Sequence, residues 1–333
     1  LITAPEIIYL WVARMIMSTL HFVHIIPFQT VLLHGTVRDE YGRKMSKSLG
    51  NSPDPIDIIN RVGADALRFS MVFGTPKGAD VIYSESILET GRNFANKIWN
   101  AYRFIMMNVQ EGEKLPKRDE LQMELADRWI YSRLNETIRE VTDFYQNLRF
   151  NDAAQAIFQF LWDEFCSWYI ELSKDRLNSN NPLSRGTTLF ILLDVMQNSM
   201  RLLHPIMPFI TEEIWQNIKQ VFPQPEEALI IAAFPSCDIN MIDSEIADDM
   251  SFMQEAITAV RNLRKELNLN PGTPISLVIR VAEERQKDLI ERYSAYFKRL
   301  AKVENMEAGR NITKPKGSIA AVVRNLEIFL PLK

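Results

Sequence analysis

Residues 31–62 read VLLHGTVRDEYGRKMSKSLGNSPDPIDIINRV, and their pattern decides the fold of the first part of the chain. The apolar run 31–34 predicts a short strand. A polar loop, 38–55, follows it, and 55–62 predict a helix with Pro55 in its first turn. Strand, glycine-bearing loop and helix are the units of an α/β domain. The loop's chemistry favours a polyphosphate. Lys44 and Lys47 bring positive charge, Ser46 and Ser48 bring hydroxyl donors, and Gly50 permits close backbone approach. A loop that opens a helix can also lend N-terminal amides to an anion. Residue types alone leave a second reading open, a solvated basic loop with no ligand.

Upstream, residues 5–23 predict a helix, with Ile7, Leu10, Trp11, Arg14, Met15 and Ser18 at helical spacing. Ile7 and Trp11 fall on one face, either as core or as walls of an apolar slot. Downstream, 64–73 form another short element. Residues 1–80 therefore read as the end of a Rossmann-type α/β domain, and the start at Leu1, in mid-pattern, reads as a cut from a longer protein.

From 84 to 220 the pattern is helical. One apolar stripe is Phe94, Ile98, Ala101, Tyr102 and Ile105. A second is Ile130, Leu134, Ile138, Val141 and Tyr145, and a third is Ile157, Leu161, Phe165, Trp168 and Leu172. Leu189, Leu192, Met196, Met200 and Leu203 make the last. Amphipathic helices with short polar connections predict an antiparallel bundle over 81–235. The aromatic run 158–169 reads as core helix. His204-Pro205 and Met207-Pro208 interrupt the last stripe, and Thr211 is placed to cap a continuation through Trp215. Residues 236–333 read as a small α+β module, with helix at 260–267, a turn at Pro271-Gly272, strand at 275–281, helix at 288–303 and paired strands at 319–323 and 326–332. The whole is mainly α.

The composition excludes several classes. No span of about 20 apolar residues exists, so no membrane helix is expected. Cys166 and Cys237 are the only cysteines, too few for a disulfide framework or a zinc site. His21 and His24 lack a carboxylate or thiol partner for a metal, and His34 reads as structural, beside Gly35. The net charge of −4 gives no overall basic field, so any nucleic acid must meet a local face. Residues 92–103 supply one. Arg92, Asn96, Trp99, Asn100 and Arg103 recur opposite the apolar stripe, offering guanidinium, amide and indole groups. A merely solvated helix face has the same pattern. Arg128, Arg133, Arg139 and Arg149 either extend this basic surface or, as each reads singly, are simply solvated.

The stretch Lys44-Met45-Ser46-Lys47-Ser48 resembles the second signature motif of the class I aminoacyl-tRNA synthetases. Trp11 to Met17, Gly35 to Asp39, Phe73 to Pro76 and Gly91 to Asn100 resemble the valyl branch, with the isoleucyl branch as runner-up. Gly63 to Arg68 resembles the subgroup more widely. The resemblance implies a signature loop that closes over ATP, with Lys47 on the phosphates and Lys44, Met45, Ser46 and Ser48 around them. It implies magnesium accompanying ATP, with no tightly bound metal. Ile7 and Trp11 become walls of the valine pocket. The family shows a glycine and an aspartate just before this helix; here Ala4, Pro5 and Glu6 stand instead, a departure from the pattern, with Glu6 as the acceptor for a ribose hydroxyl or the substrate amino group. The face of Arg92, Asn96, Trp99, Asn100 and Arg103 becomes a surface for tRNA(Val), beside an anticodon-binding bundle. The implied protein is a cytoplasmic monomer. The family's first motif, His-x-Gly-His, does not occur in these 333 residues, so the expected chain is inert alone; a stand-alone RNA-binding module is the other reading.

Overall fold

The computed structural model describes residues 1–76 and 78–331. The elements in chain order are β1 (Ile2–Thr3), α1 (Ala13–Phe22), β2 (Leu32–Leu33), β3 (Val37–Arg38), α2 (Pro55–Val62), α3 (Ala64–Phe73), β4 (Val81–Ile82) and α4 (Glu85–Met107). Then come α5 (Leu125–Gln146), α6 (Phe150–Gln159), α7 (Ile170–Leu177), α8 (Pro182–Leu203), α9 (Pro208–Ile218) and α10 (Ser244–Glu266). The chain ends in β5 (Ile275–Arg280), α11 (Glu284–Arg292), α12 (Ser294–Ala301), β6 (Val303–Gly309), β7 (Ser318–Val323) and β8 (Leu326–Pro331). Two compact units emerge. One comprises Leu1–Glu111, Leu134–Cys166 and Leu193–Cys237; the other comprises Gly112–Arg133, Ser167–Leu192 and the chain from Asp238 on.

In the first unit β1 pairs in parallel with β2, and β3 in parallel with β4. Parallel neighbours require crossovers, and α1 lies in one while α2 and α3 lie in the other. This is α/β connectivity, as read from the sequence, although β1, β3 and β4 were not foreseen. The helix expected at 5–23 has three windings: a 3-10 turn at Pro5–Ile7, a π-wound stretch at Ile8–Val12, then α1.

The stripe on α4 is buried as expected, with Phe94 and Ile105 wholly inaccessible. Phe94 lies 4.8 Å from Phe69 and 4.9 Å from Phe158 between ring centroids. Gly91 makes the approach of α3 and α4 possible, since a Cβ there would sit 2.4 Å from the carbonyl oxygen of Ala66. Between α6 and α7, Phe160–Tyr169 is π-wound. Phe160 and Phe165 are both buried. At 3.6 residues per turn, positions five apart would diverge by about 140°, so the wider winding puts both rings inside. α8 is buried almost all round, which suits a central helix.

α9 begins at Pro208 and runs to Ile218, and its start corrects the sequence reading. Thr211 is not the cap. Its Oγ1 donates to the Met207 carbonyl at 2.8 Å inside the helix and meets His204 Nδ1 at 2.7 Å. The cap comes from far away: the Asp65 carboxylate accepts from the amides of Phe209 at 3.2 Å and Ile210 at 2.6 Å. With Pro at the first helical position, the next two amides are the ones needing acceptors, and Thr211 lies a turn too deep.

In the second unit a four-stranded sheet has the order β6-β5-β8-β7, with β5 and β6 parallel and β8 antiparallel to both β5 and β7. The α+β reading holds for this module. Its details shift: α10 starts at Ser244 under an Asp243 cap, well before 260. The helix expected to reach 303 is α11 and α12, and Val303 opens the unforeseen strand β6. Residue 332 of the last expected strand lies outside the described residues. Arg264, buried, donates to the carbonyls of Asn270, Pro271 and Thr273 and so pins the Pro271-Gly272 turn. Buried Asp127 accepts from Tyr169 Oη at 2.8 Å and pairs with Arg176.

Candidate nucleotide loop and nucleic-acid face

The basic loop is closed on itself by one carboxylate. After β3 the chain turns at Asp39, and Gly42, in the left-handed region, brings it back so that Lys44 bridges to Arg38. Asp39, buried, accepts from the amides of Tyr41 at 3.1 Å and Arg43 at 2.8 Å, from Arg43 Nε at 2.8 Å and from Asn51 Nδ2 at 2.9 Å. The hydrogen bond from Asn51 and those from Arg43 hold its carboxyl at about 2. Asn51 Oδ1 in turn accepts from the Ser46 amide at 2.9 Å. Within this frame Ser46 caps a 3-10 turn, Lys47–Leu49, which ends on Gly50 at φ 65°. Ser46 and Ser48 hydroxyls meet at 3.1 Å.

The two loop lysines differ. Lys44 Nζ sits 2.6 Å from Glu6 Oε2, and this partner holds the Glu6 carboxyl below its usual range. Lys47 is exposed, and among the described residues nothing pairs with it. One expectation fails here. The helix after the loop does not lend its amides to an anion: Asp54 already accepts from Ile56 N at 2.8 Å, Pro55 has no N–H, and Asp57 adds negative charge to the first turn.

Ile7 and Trp11 are 40% and 56% exposed in this chain. Val12 is the one buried side chain of the π-wound segment. Glu6 joins Ile7 in the preceding 3-10 turn. His34 is exposed, with Nδ1 2.9 Å from the Gly35 carbonyl. Among the described residues, no three His, Cys, Asp or Glu side chains gather as a metal set. Cys166 and Cys237 are free thiols, and burial pushes the Cys166 thiol up to about 12.

On α4, Arg92, Asn96, Asn100 and Arg103 are exposed opposite the buried stripe. Trp99 is half-buried, its ring 5.0 Å from that of Tyr102. Arg92 has a loose partner in Glu89 at 3.9 Å. Arg149 is taken by Asp152 at 2.7 Å.

Sequence reasoning passed over Asp39 and Asn51, the frame of the loop. The signal was present in polar residues bracketing a basic loop, but which of them meet was not written there. It also passed over the clasp of Asp65 on α9, in which Arg68 donates to the carbonyls of Ile206 at 2.9 Å and Pro205 at 3.1 Å. Asp65 and Arg68 lie in the Gly63–Arg68 stretch and meet the His204–Phe209 elbow, so both stretches serve architecture.

Residues 1–84 match the family described as tRNA synthetases class I (I, L, M and V), and 127–279 match the anticodon-binding domain of tRNA ligase. Loop, α/β connectivity and helical region thus agree on one class. Across its whole length the chain is 41% identical to the valine–tRNA ligase of Fusobacterium nucleatum and 42% identical to those of Enterococcus faecalis and Clostridium tetani. Over its whole length the chain is thus similar to valine–tRNA ligases, and its first 84 residues match the class I tRNA synthetases. It spans 37% of the length of these relatives. Among solved structures, the Agrobacterium radiobacter LeuRS–tRNA–LeuAMS complex has a TM-score of 0.55 at 24% identity, over 73% of this chain and 29% of that one. Mycobacterium tuberculosis methionyl-tRNA synthetase with methionyl-adenylate has a TM-score of 0.54 at 21% identity, over 64% and 42%. These two likenesses concern the fold. No described helix is long and apolar enough to cross a membrane.

Proposed function

We propose that the chain supplies the ATP-closing loop and the tRNA platform of an enzyme joining valine to tRNA(Val). In the first step the valine carboxylate attacks the α-phosphorus of ATP and pyrophosphate leaves; in the second a hydroxyl at the tRNA 3′ end attacks the carbonyl of the valyl-adenylate and AMP leaves. The observation that carries the reading is Lys47, exposed and unpaired on a loop framed by Asp39 and Asn51. A preorganised cation there stabilises charge growing on the leaving pyrophosphate more than it stabilises bound ATP, which lowers the barrier. Met45, Ser46 and Ser48 shape the phosphate side of the loop, and Lys44 adds charge.

Ile7 and Trp11 wall the valine side chain, and Glu6 lies beside its amino group. Magnesium arrives with ATP as its counter-ion. Arg92 and Arg103 meet tRNA phosphates, Asn96 and Asn100 face base or ribose edges, and the open part of Trp99 offers a limited stacking surface. The domains are 1–80 for the catalytic end, 81–235 for the bundle and 236–333 for the α+β module. The protein acts as a cytoplasmic monomer.

The test is amino-acid-dependent ATP–pyrophosphate exchange by the full-length protein. Valine is expected to exceed isoleucine in kcat/KM by at least about tenfold, the scale on which an apolar pocket separates one methylene. Preference for isoleucine or leucine would overturn the assignment.

A further inference from the structure

The ion pair of Glu6 and Lys44 joins the segment read as the amino-acid side of the site to the loop read as its ATP side. Nζ and Oε2 are 2.6 Å apart, and Thr36 Oγ1 donates to the other carboxylate oxygen at 3.5 Å. The side chains are 55% and 47% exposed, so ligands can reach and exchange with either partner. Lys47, three residues along, has no such tie among the described residues. Of the two loop lysines, one is neutralised by the chain itself.

We propose that Glu6 couples the two small substrates: the α-ammonium of the amino acid takes over the Glu6 carboxylate, and the released Lys44 turns to the phosphates of ATP. The inference rests on the functional reading above. Its physics is competition. A second ammonium brought to one carboxylate repels the first, and the several negative charges of a triphosphate outbid a single carboxylate for the displaced lysine. By linkage, each substrate then tightens the other to the same degree. A half-exposed pair sets the scale, about two- to fivefold.

The sign separates this role from others. If Glu6 only held the amino group, its loss would leave ATP binding unchanged when the amino acid is absent, and if it only accepted from the ribose its loss would weaken ATP; as a competitor for Lys44, its loss strengthens ATP binding when the amino acid is absent.

Calorimetry of MgATP binding to the full-length protein decides it. The titrations are run alone, with L-valinol, which keeps the ammonium but cannot be activated, and with 3-methyl-1-butanol, which lacks the ammonium. In the native protein valinol is expected to tighten ATP about two- to fivefold and the plain alcohol to do nothing. In Glu6→Gln, ATP alone should bind as tightly as in the native protein with valinol, and valinol should have no further effect. Lys44→Gln should abolish the valinol effect and leave ATP weak. An unchanged valinol effect in Glu6→Gln, weaker ATP binding in that variant, or ATP binding indifferent to valinol in the native protein each overturns the coupling and leaves the ATP reading standing. No ATP binding under any condition overturns both.

Discussion

Asn51 Nδ2 donates to Asp39 Oδ2 at 2.9 Å, and this bond closes the signature loop into a framed unit, because the same Asn51 side chain accepts from the Ser46 amide. Asn51→Ala removes both contacts. Adenylate formation is expected to fall by up to about 100-fold, the cost of a misplaced reacting group, while valine affinity stays unchanged. Stopped-flow single-turnover activation beside equilibrium valine binding measures the split; equal losses in both would mean that the frame acts on the whole fold.

The frame also has a pH signature. The Asp39 carboxyl titrates at about 2, below an unfolded aspartate at about 3.9. Its stabilising contribution is therefore complete above the unfolded value and is lost as pH falls through the folded one. The Asn51 side-chain amide resonances should hold steady from neutral pH to mild acid. A shift centred near neutrality would contradict the assignment of this carboxylate as the hub.

Gly91 tests the packing beneath the exposed side of α4 that carries Arg92 and Arg103. A Cβ there would lie 2.4 Å from the Ala66 carbonyl and 2.6 Å from Ser70 Oγ. Gly91→Ala should destabilise by about 1–3 kcal/mol, as overpacked sites do, read as a lower denaturation midpoint. Native-like stability would show that α3 and α4 separate freely.

The sequence was most legible where many residues repeat one signal. The buried stripe of α4 states its role several times over. β1, β3 and β4 have two residues each, too short for any periodicity. β6 reads Val-Glu-Asn-Met-Glu-Ala-Gly, and as an edge strand it has one neighbour and a polar, exposed pattern. The cap of α9 was beyond reach for another reason. Asp65 and Ile210 are 145 positions apart, and local composition carries no record of such a contact. Asp243 ahead of α10 did carry a helix-start signal, and reading it would have placed that helix correctly. For the candidate site, residue types left the loop open between a phosphate binder and a solvated surface, and the family resemblance chose between them; its frame and the tie between Glu6 and Lys44 needed three dimensions.

On α4, Arg92→Ala and Arg103→Ala should weaken tRNA binding without unfolding the protein, since exposed substitutions cost within about 0.5 kcal/mol. Each lost phosphate contact should reduce the salt slope of the affinity by about 0.7–0.9. Fluorescence anisotropy with a labelled tRNA(Val) transcript at two salt concentrations gives both quantities. Native-like curves for both variants would place the tRNA elsewhere.

The most direct measurement of the central claim is single-turnover valyl-adenylate formation by the full-length protein carrying Lys47→Ala. Losing one preorganised electrostatic donor is expected to cost roughly 3–4 kcal/mol, or about 100- to 1000-fold in rate, with valine binding unchanged. A rate equal to that of the native protein would contradict the account and return the loop to a solvated feature of the surface.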